Sequence, residues 1–341
     1  MTQMQDQLKD WAIVGLVAYH GKAWWYDMLG GEMGRNHFDE GVPIDLITEK
    51  LAKLEPQIVQ IGFKSKCEPD YRETSRTEIY IPEFDNLAYI GSDGYRIHRL
   101  AEVFGPVLAI VNGDVQIKSL VAANGGALVS IQLSSPKGYE RCGMKYHPSL
   151  FVATDHSGKL GTLAKGACGL SVCDNTQAMV ISESTANQFK VKHTKNSVTN
   201  QGALKATFVA EMGTLAESIG YRIEKLHSVS FTEKQFEAWL EAYFPYPRQS
   251  NGEGNTIDDG RAVTIAKNKR NEVRDMYRTD RRCAPWQDTA LGVLQTINTY
   301  NTHHAPIRAA TRLSRNVENF FSGKQDALDA LALKQLQLVM A

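Results

Sequence analysis

Apolar and polar positions divide the chain into a strand-rich centre and a helical C-terminal half. In the centre, short apolar runs at 78–81, 87–90, 107–111, 115–123, 127–133, 150–154 and 160–163 alternate with turn residues. Asn112-Gly113-Asp114, Gly125-Gly126 and His156-Ser157-Gly158 are such breaks, and they predict hairpins. The connections are too short for parallel crossovers, so the predicted sheet is an antiparallel meander. A strand is predicted over 58–63, and polar loops over 64–77 and 134–147.

Helical spacing appears in seven further places. Leu46, Ile47, Leu51 and Leu54 share one face, and 96–104 reads as a second short helix. From residue 203 onward the three-to-four periodicity dominates, with helices predicted over 203–226, 258–280, 289–301 and 326–339. Thr232 opens another helix with Phe236, Trp239, Leu240 and Phe244 on one side, and Pro245 and Pro247 end it. Residues 249–256 form a Gly/Asn-rich linker. The predicted class is α+β. An N-terminal arm spans 1–35, a strand-rich part 36–180 and a mainly helical part 181–341, and the last two are compatible with one continuous domain.

Composition narrows the setting. Of 341 residues, 43% are hydrophobic and 22% charged, values of a globular chain. No apolar run approaches the roughly 18 residues of a membrane helix, so no membrane partner is expected. Residues 1–9 are polar and lack a leader pattern, and the five cysteines are an odd number; both predict a cytoplasmic protein with reduced thiols. The formal net charge is zero, so a nucleic-acid site requires local clustering.

Such a cluster exists. Residues 261–282 carry eight cationic side chains against three acidic ones. Lys267, Arg270, Arg274, Arg278 and Arg281 are spaced by 3, 4, 4 and 3, which gathers them on one helical face. Tyr277 and Trp286 flank them. Aligned cations beside aromatic rings suit a sugar–phosphate backbone with stacked bases, although a solvated face with intrahelical ion pairs gives the same pattern. A second basic run, 184–210, holds no acidic residue and includes Lys190, Lys192 and Lys195. These ten positions, eight cations and two rings, are the candidate DNA-binding residues.

Catalytic signatures are sparse. No phosphate-binding loop and no Gly-x-Ser-x-Gly elbow is present. Asp155-His156-Ser157 reads as turn chemistry. Cys142, His147, Cys168 and Cys173 could form a zinc set only with unusually loose spacing, so no metal and no cofactor are expected. Cys173 reads as a buried thiol.

Three strings, 149–158 (Ser-Leu-Phe-Val-Ala-Thr-Asp-His-Ser-Gly), Cys173-Asp174-Asn175-Thr176 and 189–194 (Phe-Lys-Val-Lys-His-Thr), occur in an order and spacing that resembles a known family. It is the phage/plasmid-like proteins containing a domain of unknown function, nine-three-two. Asn36-His37-Phe38, Val42-Pro43-Ile44 and 289–303 extend the resemblance to about residues 20 to 335. One departure is Leu170-Ser171-Val172, where the family commonly has a basic residue. The resemblance implies a mobile-element setting and supplies no catalytic residues. The expected function is single-stranded DNA binding and annealing in recombination or repair, without catalysis, by a homo-oligomer. The alternatives are a nucleic-acid-processing enzyme using His156, Cys173 or His193, and a host-interaction or counter-defence protein with a host partner.

Overall fold

The computed structural model describes residues 11–15, 37–38, 40–60, 62–63, 72–73, 77–91, 94–170, 176–177, 188–193, 201–246, 248–250, 256–258, 260–306 and 309–340. Its centre is a nine-stranded sheet. The long strands are β8 (Gln116–Ala123), β9 (Leu128–Ser134), β11 (Met144–Asp155) and β12 (Gly161–Leu170), all paired antiparallel as the turn residues predict. β1 (Trp11–Gly15), from the predicted N-terminal arm, pairs antiparallel with β8, and β2 (His37–Phe38) pairs parallel with β1. β10 (Tyr139–Arg141) pairs with β11; β13 (Thr176–Gln177) and β14 (Gln188–Val191) pair with β12. A smaller sheet joins β3 (Gln57–Val59), β6 (Thr77–Ile81) and β7 (Asn86–Gly91), and β4 (Gly62–Phe63) pairs with β5 (Arg72–Glu73).

Alternate residues of β11 face two helical layers, because side chains alternate across a strand. Leu150 and Val152 pack with Ile47 and Leu51 of α1 (Ile44–Leu54) and with Val103, Phe104 and Val107 of α2 (Leu100–Leu108). Phe151 and Ala153 meet Phe320 and Phe321 at the end of α7 (Ala309–Phe321). Near the start of β11, Met144 and Tyr146 pack against Leu215, Ile219 and Ile223 of the long helix α3 (Gln201–His227), and Tyr146 donates a hydrogen bond to the Ala216 carbonyl at 3.1 Å. The strand-rich and helical parts of the chain therefore share cores. Each of the buried Leu, Ile, Val, Phe and Met side chains among these contributes about 1.5–3 kcal/mol by leaving water.

The remaining helices form their own cluster. α4 (Glu233–Tyr243) begins at Thr232, whose hydroxyl accepts from Gln235 N while the Gln235 side chain accepts from Thr232 N, a capping box. Its Phe236, Trp239 and Leu240 pack with Val273, Met276 and Tyr277 of α5 (Gly260–Thr279). Val293, Leu294 and Ile297 of α6 (Ala290–Thr299) and Ala332 and Leu336 of α8 (Lys324–Met340) complete this core. β15 (Arg248–Ser250) and β16 (Thr256–Asp258) make a two-stranded ribbon at the two ends of the predicted linker.

Two local expectations are corrected. Residues 107–111 are not a strand: Val107 continues the buried face begun by Leu100, Val103 and Phe104, so the helix runs on through Leu108. The first strand of that predicted hairpin is absent, and Asn112 Oδ1 instead accepts from the amides of Asp114 and Val115. The segment 134–147 is not one loop either; it contains β10 and a tight turn with Cys142 and Gly143 at positive φ. Among the described residues, no helix is long and apolar enough to cross a membrane.

Candidate functional site

The cationic face of α5 is met by a matching acidic face. Glu233, Glu237 and Glu241 recur every four residues on α4, and they pair in antiparallel order with Arg278, Arg274 and Arg270. Arg274 is bidentate on Glu237, with Nε and Nη2 donating at 2.6 and 2.7 Å. Those bonds hold the Glu237 carboxyl below its usual range. Arg270 is buried at 8% side-chain exposure and donates from Nε and Nη2 to the Phe244 carbonyl at 2.9 and 2.7 Å. Its guanidinium lies 4.0 Å from the centroid of the Tyr246 ring. The expectation of an open cationic stripe is corrected accordingly: three of its five members tie two helices together.

The flanking aromatics are also occupied. Tyr277 is 2% exposed and stacks on Phe236 at 4.0 Å between centroids, and its hydroxyl accepts from the Asp288 amide at 2.7 Å. Trp286 is 5% exposed and donates from Nε1 to the Cys142 carbonyl at 2.9 Å. Neither ring presents a face for a base to stack on. Lys267 remains exposed on α5; Arg281 is exposed too, but it lies past the helix end at Thr279 and so off the predicted helical face. Lys190 and Lys192 are also exposed, at and just beyond the end of edge strand β14. None of these four is in an ion pair among the described residues. Lys195 and Cys173 lie outside the described residues.

A different constellation gathers at the turn of the β11–β12 hairpin. His156 sits in that turn, His193 just beyond β14, and His98 in the segment leading into α2. The His98 and His193 rings stack at 4.0 Å between centroids, and the His156 ring meets His193 edge-on at 5.2 Å. Thr154 and Thr162 are cross-strand partners whose hydroxyls lie 2.8 Å apart. Thr162 Oγ1 contacts His98 Nδ1 at 2.7 Å, and His193 Nε2 lies 3.2 and 3.3 Å from Thr162 and Thr154 Oγ1. On the far side, Tyr95 Oη bonds His193 Nδ1 at 2.8 Å.

The cluster is buried throughout. His98, His156, Thr154 and Thr162 are at most 2% exposed and His193 is 8% exposed. Burial lowers all three imidazoles, His156 to about 3 and His193 to about 2; repulsion from neighbouring histidines adds to it for those two, and repulsion from Arg96 for His98. They are neutral at pH 7. Burial also pushes the Tyr95 hydroxyl up, so it stays protonated. One self-consistent proton order follows: Tyr95 donates to Nδ1, and Nε2 of His193 carries the ring proton and donates to the threonine hydroxyls. Neither nitrogen of His156 has a hydrogen-bond partner among the described residues. The Asp155 carboxylate is spent on the turn, accepting from the Ser157 amide and hydroxyl and from the Leu160 amide, each at 2.9 Å.

Sequence reading singled out His156 and His193 but missed His98, Tyr95 and Thr162, because only the fold brings residues 95–98 onto the hairpin. Of the residues weighed as a zinc set, Cys173 and the Cys168 side chain lie outside the described residues. His147 is buried on another part of β11, pushed down to about 4 by burial and by Lys118. Among the described residues, no three His, Cys, Asp or Glu side chains are placed to hold a metal ion.

A domain described as Domain of unknown function (DUF932) matches residues 90–320, more than half of the chain, and this span includes both the histidine cluster and the α4–α5 pairing. No curated protein and no solved structure matches.

Proposed function

The chain belongs to the DUF932 family, and because that family carries no assigned chemistry we propose a function from the site itself: non-catalytic binding of a single nucleic-acid strand through its phosphates. One observation carries the reading. In a chain of zero net charge, residues 184–210 hold no acidic side chain, and the described lysines of that run with placed side chains, Lys190 and Lys192, stand exposed at the sheet's edge. The run continues into α3, whose first turn also lacks an acidic residue. Lys267 on α5 and Arg281 just past its end are the exposed members of the predicted stripe that can add to this field.

The wider setting fits annealing. Annealing needs backbone grip that leaves bases able to pair, and it needs no nucleophile. An antiparallel meander followed by a long helix also resembles, in element order, the annealing core of the Rad-fifty-two type. The phage and plasmid setting implied by the family resemblance, single-stranded DNA as ligand and a homo-oligomer as the working form belong to this proposal. A second reading, an enzyme using His156 and His193, draws on their convergence with His98. The burial of every member of that cluster places strand binding ahead of it.

Fluorescence anisotropy on labelled oligonucleotides over a salt series tests the proposal. Affinity should fall with salt by about 0.7 log units per log unit for each phosphate contact. Lys190→Ala with Lys192→Ala should weaken binding to all sequences alike and flatten that slope by roughly 1.4 units, about 0.7 for each lost contact. Absence of binding by the wild-type protein at low salt refutes the reading.

A further inference from the structure

The histidine cluster bears on the same edge strand. β14 spans four residues, with pairs from Thr162↔Val191 to Lys165↔Gln188 that fasten one of its sides to β12. A ladder this short is held weakly by backbone bonds alone. Along 190–193, His193 is the buried side chain, Lys190 and Lys192 are exposed and Val191 is intermediate. Close approach at this point is built in. Gly161 lies opposite the strand end at φ +83°, and a Cβ there would come within 2.6 Å of the Val191 carbonyl.

We propose that His193 is a proton-operated anchor: while neutral it pins the end of β14 to the sheet, and on protonation it releases that strand together with Lys190 and Lys192. The geometry supports this at each contact. His193 Nδ1 takes Tyr95, Nε2 takes Thr154 and Thr162, and one face stacks on His98. A proton added to the ring makes Nδ1 a donor. It then faces a Tyr95 hydroxyl that must turn its own proton away.

Burial, His156 and His98 oppose that proton, while the hydrogen bond between His193 and the Arg96 backbone favours it. From the hairpin come His156 and Asp155, the latter already committed to Ser157 and Leu160. From the segment before α2 come Tyr95, Arg96 and His98, with Glu102 acting on His98 from within α2. Tyr89 of β7 backs Tyr95 at 4.9 Å. On its own strand, His193 has Lys190 and Lys192. No carboxylate accepts a hydrogen bond from His193 among the described residues, so the route to a charged imidazole is outward. The buried positions of His193 and its neighbours make this a positioning role and not a catalytic one.

That release alters nucleic-acid grip rests on the strand-binding reading; the anchor itself does not. Hydrogen–deuterium exchange of the full chain between pH 7.5 and 5.5, corrected for intrinsic rates, tests it. A released imidazole titrates near 6.5, so protection of the 188–192 amides should fall about tenfold by pH 5.5, while α3 keeps its protection. His193→Gln should start with low protection at pH 7.5 and lose the pH dependence. If that variant does not fold, Tyr95→Phe, which deletes one hydrogen bond and keeps the ring, should lower protection part of the way. Protection at 188–192 that is flat with pH in the wild type, or unchanged in the variants, overturns the anchor whatever strand affinity does. Protection that falls with pH while the wild type binds no oligonucleotide at any pH upholds the anchor and removes the strand-binding reading alone.

Discussion

Replacing Arg270 with Ala separates the structural role of the α5 cations from a nucleic-acid role. The guanidinium makes two short hydrogen bonds to the Phe244 carbonyl, at the C-terminal end of α4, and covers the Tyr246 ring. Hydrogen bonds from a charged donor are worth about 1.5–3 kcal/mol, and the cation–π contact adds about 0.5–1 kcal/mol. The 3.7 Å contact to Glu241, whose side chain is 70% exposed, adds almost nothing once screened by water. The expected loss is therefore about 3 kcal/mol, or roughly 4 °C in Tm for a chain of this length. Lys267→Ala, on the same helix but exposed, should change stability by less than about 0.5 kcal/mol. Urea unfolding followed by circular dichroism, with both variants beside the wild type, measures the contrast. Equal stability of the two variants, or an Arg270→Ala protein that loses strand affinity at unchanged stability, refutes the reasoning.

Acid should destabilise the fold. His147, His156 and His193 sit at about 4, 3 and 2 in the folded protein against 6.5 when free. The unfolded chain therefore binds more protons, and stability is complete above pH 6.5 and falls below it. By pH 5 each of the three costs about 2 kcal/mol, roughly 6 kcal/mol together; a Tm that stays level from pH 7.5 to 5 contradicts this. Cys283 is fully buried, and burial pushes its thiol up to about 11, so site-resolved labelling of the folded protein should modify half-buried Cys142 well before Cys283. Rapid modification of Cys283 counts against the packing described for α6.

Much of the fold was legible because its elements obey local rules. The β11–β12 hairpin announced itself through apolar runs around His156-Ser157-Gly158, and α4 through Thr232 and its apolar face. The run 107–111 misled because a buried helix end and a buried strand share the same apolar composition, and only its register with Leu100 and Phe104 distinguishes them. The arginine stripe was visible, but its meaning lay in Glu233, Glu237 and Glu241, whose matching four-residue interval was also open to reading. What could not be read was the cluster of His98, His156 and His193, since no sequence rule says which loop closes over which turn.

The cores shared across the chain bear on where this fold can be divided. The matched segment 90–320 stops short of its mechanical limits on both sides. On one side, Ile13 of β1 and Ile47, Leu51 and Leu54 of α1 belong to the same core as Leu150 and Val152. On the other, Ala332 and Leu336 of α8 close the packing around Trp239, whose indole donates to the Ala332 carbonyl. A fragment trimmed to 90–320 would strip one sheet edge and open two apolar faces at once. The unit that recurs in sequence is thus smaller than the unit that folds, and residues outside it help close the cores that the matched segment begins.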